Sequence, residues 1–160
     1  MTALRIRAEP LTAESFRPFG LVMEAPKDGN RTGPLPVIAD PRPAAKVTAT
    51  LIDLLAQKSP RQIRQVERHL NSAQFFLHLS GGPLSLVVFP ATGNGLPDIG
   101  AARAFVAAPG QAFGYHPGTW HAGVAALDKA AQCASLLSRD GTPDDVDERT
   151  LAETIEVDWT

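Results

Sequence analysis

The chain has a single cysteine, Cys133, among 160 residues, so no disulfide can form within it. Set among Ala, Gln and Ser, that thiol reads as a small apolar side chain. The chain also lacks an excess of charge of either sign. Its net charge of -2 offers no broad basic field for nucleic acid or an anionic membrane, and neither partner is expected. Long hydrophobic runs are missing too. No segment approaches the roughly 20 apolar residues that a bilayer requires, since even Leu84 to Phe89 is stopped by Pro90. The first ten residues interleave charged with apolar side chains and so lack the continuous apolar core of a signal peptide. No repeat, low-complexity tract or interdomain linker is present, and the expectation is one cytoplasmic domain over residues 1–160.

What the chain does have is enough apolar content, 44%, to build a core, and a domain of this length buries roughly 70% of the surface its unfolded chain exposes. Alternation of apolar and polar residues predicts strands over 4–8, 21–24, 46–55, 62–69, 74–79, 85–89, 105–107, 113–115, 123–127 and 132–137. The run Leu51 to Ala56 is also compatible with a helix. Thr12 can cap one helical turn ending at Phe16, which Pro18 and Gly20 then stop. Residues 25–43, rich in Pro, Gly, Asp and Asn, predict a long surface loop, and 147–153 a short terminal helix. Many short strands turned by 14 prolines and 13 glycines point to an all-β sandwich or barrel.

Candidate chemistry gathers at two places. Glu67 and His69 stand two apart on a predicted strand and so share one face, and Gln74 can reach the same cavity from the next strand. His121 arrives from a hairpin at the end of Gly110-Gln-Ala-Phe-Gly-Tyr-His-Pro-Gly-Thr-Trp-His121. A carboxylate, two imidazoles and an amide form a mixed N/O set suited to nickel, manganese, iron or zinc. A plainer reading makes Glu67 to His69 a solvated strand edge and Tyr115, His116, Trp120 and His121 a core cluster beside a Pro-Gly turn. His78 reads as structural or exposed, and Arg61, Arg64 and Arg68 as a solvated face. Arg103 can fork onto a substrate carboxylate or pair at the rim.

The spacing of Gly110, Gly118 and His121 resembles the second cupin motif, with His116 in the place of its proline, and Glu67, His69, Gln74 and Gly81 resemble the first. The segments Leu11 to Gly20, Glu67-Arg68-His69, Gln74-Phe75-Phe76, Pro97-Asp98, Arg103 to Val106 and Gly110 to His121 follow the order found in the ureidoglycolate lyase family, which the chain resembles over nearly its whole length. The resemblance implies a cupin-like β-barrel of jelly-roll type with a few short helices, a homodimer, and a nickel cofactor. It further implies release of urea from (S)-ureidoglycolate to leave glyoxylate in purine and allantoin nitrogen catabolism.

On that basis a metal held by Glu67, His69, Gln74 and His121 activates the substrate hydroxyl. His116 is the expected base, because an imidazole titrates near neutrality. Tyr115 or the returning imidazolium is the proton donor to the leaving nitrogen, Trp120 walls the pocket, and Arg103 anchors the substrate carboxylate. Two alternatives are a different metal-dependent cupin enzyme acting on a small 2-hydroxy or 2-oxo acid, and a non-catalytic metabolite-binding cupin.

Overall fold

The computed structural model describes residues 3–35 and 38–159. Residues 36 and 37 of the expected 25–43 loop, and positions 1, 2 and 160 of the expected domain, lie outside the described residues. Strands follow in the order β1 (Leu4–Arg7), β2 (Glu9–Pro10), β3 (Gly20–Glu24), β4 (Lys46–Leu54), β5 (Ala56–Gln57), β6 (Arg61–Arg68), β7 (Gln74–Gly81) and β8 (Leu84–Phe89). Then come β9 (Arg103–Ala107), β10 (Gln111–Tyr115), β11 (Trp120–His121), β12 (Ala125–Leu127), β13 (Ala131–Arg139) and β14 (Asp147–Asp158). One helical turn, α1 (Ala13–Phe16), separates β2 from β3, and the Thr12 side chain caps it by accepting from the Ser15 amide at 3.1 Å. No helix among the described residues is long and apolar enough to cross a membrane.

Two sheets form. Nine strands run β1-β14-β6-β11-β8-β12-β5, with β9 on β8 and β2 on β9, while five run β3-β10-β7-β13-β4. In the larger sheet β1 returns against β9, so it curls into a nearly closed barrel. The fold is all-β, as the strand-rich sequence predicts, and cupin-like, as the family resemblance implies. Ile63, Val87, Phe89, Trp120, Ile155 and Val157 pack on one face of that sheet. Phe16, Leu86, Val88, Phe105, Phe113 and Tyr115 fill the space on the other face, towards the second sheet. Each large apolar side chain so buried contributes about 1.5–3 kcal/mol.

Residues 147–153 are not helical, contrary to the sequence-based expectation. They open β14, which pairs antiparallel with β6 and parallel with β1. A bulge between Thr150 and Ile155 breaks the period-2 pattern that would have revealed a strand. Residues 46–54 form a strand and not a helix, because β13 offers a nine-residue antiparallel partner.

Two of the three arginines expected on a solvated face are drawn inward. Arg61 donates to the Gly123 carbonyl at 2.5 Å and to Ser85 Oγ at 3.4 Å. Arg68 lies over the Trp120 ring at 4.4 Å and pairs with Asp147 at 3.0 Å. Arginine can bury its long stem along apolar surface while its guanidinium keeps polar or aromatic partners. Arg64 alone of the three is exposed.

Candidate metal centre

Register brings the two half-motifs together. His121 of β11 stands directly opposite Glu67 of β6, so both side chains leave the same face of the sheet. His69, two residues beyond Glu67, follows on that face. A backbone bond from the Gly118 amide to the His69 carbonyl, 2.7 Å, ties the hairpin to the end of β6. Gly118 makes the turn possible by adopting φ +81°, a conformation that costs a residue with a Cβ.

Glu67 Oε1 lies 3.5 Å from His121 Nε2 and 3.8 Å from His69 Nε2, and the three candidate ligand atoms all fall within 4.8 Å of one another. Ligand bonds of about 2.0–2.2 Å to one ion place neighbouring donors roughly 3–4 Å apart, so the spacing fits. Tautomer geometry fits as well. His69 Nδ1 is 3.1 Å from the Asp145 carbonyl and His121 Nδ1 is 2.9 Å from the Thr119 carbonyl. A carbonyl only accepts, so each Nδ1 carries the hydrogen and each Nε2 presents a lone pair to Glu67.

The decisive feature is polar satisfaction. Among the described residues, the buried side-chain N and O atoms without a partner are His69 Nε2, His121 Nε2, Gln74 Oε1 and Tyr115 Oη. Buried polar atoms are rarely left unpaired, and here all four belong to one neighbourhood. Gln74 donates its Nε2 to Ser135 Oγ at 3.3 Å, which leaves Oε1 as the free acceptor. It stands opposite Tyr115 in the β7–β10 ladder, and the Tyr115 ring stacks on His121. These residues fit a bound divalent cation.

Electrostatics agree. The contact with His121, 3.5 Å away, holds the Glu67 carboxyl below the usual carboxylate range. Burial pushes the His69 imidazole down, keeping it neutral as a ligand must be, and pushes the Tyr115 hydroxyl far up, so it retains its proton. Glu67 lines an open depression of about 460 Å³ with Gln65, Val66, Gly123 and Glu148, which gives the cluster a route to solvent.

Comparison with known proteins matches a family model described as ureidoglycolate lyase to residues 3–158. The chain belongs to the ureidoglycolate lyase family. It is similar to "Ureidoglycolate lyase" of Pseudomonas syringae pv. syringae, 33% identical over 156 residues that cover 91% of this chain and 89% of the relative. It is likewise similar to proteins of the same name from Pseudomonas fluorescens, 32% identical with 91% and 90% covered, and Pseudomonas paraeruginosa, 30% identical with 92% and 91% covered.

Within this family member, three residues expected at the site do not join the cluster. His116 is exposed on the turn that follows β10, with Nε2 3.3 Å from the Arg17 carbonyl, because the chain leaves the sheet at Tyr115. Trp120 precedes His121 on a strand and so points to the opposite face, where its Nε1 donates to the Gly95 carbonyl at 3.0 Å. Arg103 shares the cross-strand row of His121 and Val88, yet its guanidinium is bonded to Glu9 and to the Ser15 carbonyl. His78 is structural, donating from Nε2 to the Gly82 carbonyl at 2.9 Å.

Sequence reasoning missed the support around His69. Asp145 acts through its backbone carbonyl, which no residue type advertises. Its side chain is held by Arg42, which also pairs with Asp40 and, at 2.9 Å, with Asp140. Arg42 sits in the segment read only as a surface loop, and composition carries no sign that one of its side chains is a clamp.

Proposed function

We propose that this chain is a metal-dependent carbon-nitrogen lyase that splits ureidoglycolate into urea and glyoxylate. The carrying observation is that the unpartnered Nε2 atoms of His69 and His121 flank the Glu67 carboxylate, with the unpartnered Tyr115 stacked on His121 and Gln74 opposite Tyr115, in a member of the ureidoglycolate lyase family. Glu67, His69 and His121 would hold a divalent ion, nickel by family resemblance, with Gln74 Oε1 as a further oxygen donor. Bound there, the ion supplies Lewis acidity that lowers the pKa of the substrate hydroxyl.

The side chains supply the proton transfers. Glu67, kept ionised beside His121 and one-third exposed, accepts the hydroxyl proton through its second oxygen as the C–N bond breaks. That role passes from His116 to Glu67 because Glu67 lies in the cluster. Tyr115, kept protonated by burial, donates to the departing nitrogen, so the hydroxyl carbon becomes the aldehyde of glyoxylate and urea leaves neutral. Nickel-loaded protein should release urea and glyoxylate from ureidoglycolate in equal amounts. Ammonia in place of urea would overturn the lyase reading.

The same proposal includes a homodimer formed through the five-stranded sheet. Register aligns Leu51, Ala134, Leu77, Ala112 and Met23 across all five strands, an apolar row on the sheet's outer face. Leu51 is 78% exposed, and Val47 and Leu79 beside that row are more than half exposed. A self-complementary face of this kind suits a two-fold contact. Cys133 is fully buried and unpaired, which fits a reducing compartment, and we place the protein in the cytoplasm as one domain.

A further inference from the structure

We propose that Arg139 is the anchor for the substrate carboxylate, standing at the rim of the centre with its guanidinium free. The inference rests on the lyase reading for its substrate and on geometry for the residue. Ser135, Leu137 and Arg139 alternate along β13, so they share one face, and Leu137 lies opposite Gln74 while Ser135 accepts the Gln74 amide hydrogen. Arg139 therefore projects on the Gln74 side of the sheet, one step beyond the last buried residue. It is exposed, and among the described residues its side chain has no ion-pair or hydrogen-bond partner.

That freedom is notable because acids abound nearby. Asp40, Asp140 and Asp145 are all engaged by Arg42, so the carboxylates that would otherwise capture Arg139 already have a partner. A planar fork without a partner, on the same side of the sheet as Gln74, suits a two-oxygen anion on a small 2-hydroxy acid. Arg103, the other candidate for this role, is committed to Glu9.

The test uses nickel-loaded full-length protein with glycolate and its uncharged analogue glycolamide as probes, each titrated calorimetrically. Wild type should bind glycolate more tightly than glycolamide. Arg139→Met should weaken glycolate roughly 10- to 100-fold, the worth of a charge-assisted hydrogen bond, and leave glycolamide and nickel affinity unchanged. Arg139→Lys should recover part of the loss. Equal binding of the two probes by wild type, or an undiminished preference in Arg139→Met, overturns the proposal. Turnover of ureidoglycolate, measured separately, distinguishes the two readings. If Arg139→Met abolishes charge discrimination while wild type does not split ureidoglycolate, the anchor stands and the lyase assignment falls. Wild-type turnover with an unchanged KM in Arg139→Met sinks the anchor alone.

Discussion

Tyr115 and His121 lie face to face, their ring centroids 4.1 Å apart and their planes within 14° of each other. The stack fixes the imidazole plane while the Thr119 carbonyl fixes its tautomer, so His121 is held in two independent ways. The tyrosine ring is itself wedged among Phe16, Phe76 and Phe113. Packing of the apolar core thus sets the direction of a polar ligand.

This separates two functions of Tyr115. Tyr115→Phe keeps the stack and removes the hydroxyl, so it should retain nickel affinity and lower turnover by roughly 10²- to 10⁴-fold. Tyr115→Ala removes the stack as well and should cost about 3–5 kcal/mol of stability, as deletion of a buried aromatic ring does. Parallel urea titrations and rate measurements check both. Full activity in Tyr115→Phe would refute the donor role.

Removing a ligand should abolish metal binding without unfolding the chain. His69→Ala and His121→Ala each delete an Nε2 that no other group satisfies, so neither breaks a hydrogen bond made by that atom. Calorimetry with nickel chloride should show no binding to either variant, alongside a wild-type circular dichroism spectrum. Binding at wild-type affinity would contradict the ligand assignment.

The clamp on Asp145 should matter for metal and not only for folding. Arg42→Ala frees three aspartates that the guanidinium gathers, and so loosens the carbonyl that orients His69. Nickel affinity should fall by roughly 10- to 100-fold, the usual effect of disturbing a group behind a ligand. Arg42→Lys keeps the charge and loses the fork, and should fall between the two. Wild-type affinity in Arg42→Ala would show that the loop does not position His69.

Acid should destabilise the metal-free protein from near neutrality downward. His69 titrates below its ordinary 6.5 because burial disfavours the imidazolium. On acidification the unfolded chain therefore takes up this proton first, so stability is full above 6.5 and declines as pH falls through the lowered pKa. Glu67, held below its ordinary 4.5 chiefly by the neighbouring His121, adds a second loss at lower pH. Urea midpoints measured across this range should fall less steeply below 6.5 in His69→Asn than in wild type. Identical slopes would contradict the assignment.

A charge placed in the apolar row should disrupt self-association. Leu51→Glu lies on an exposed face of the edge strand β4 and disturbs no core contact, so the monomer should fold. Sedimentation should show wild-type dimer and variant monomer at micromolar concentration. A monomeric wild type would sink the dimer.

Much of this protein is set by neighbours in the chain. Period-2 patterning places Glu67 with His69 on one face, Thr12 caps α1, and Gly118 allows the turn that delivers His121; each depends on local sterics or hydrogen bonding, so the sequence alone determines it. Other features arise only when distant segments pack. Alternation along β11 sends Trp120 away from the centre once β6 and β8 flank it, and an ion pair with Glu9 occupies Arg103. The Asp145 carbonyl reaches His69 across 76 positions, and Arg42 collects aspartates up to 103 positions away, leaving Arg139 free. A side chain's type states what it can bind, but which partner it meets depends on contacts between segments far apart in sequence, and tertiary packing decides those.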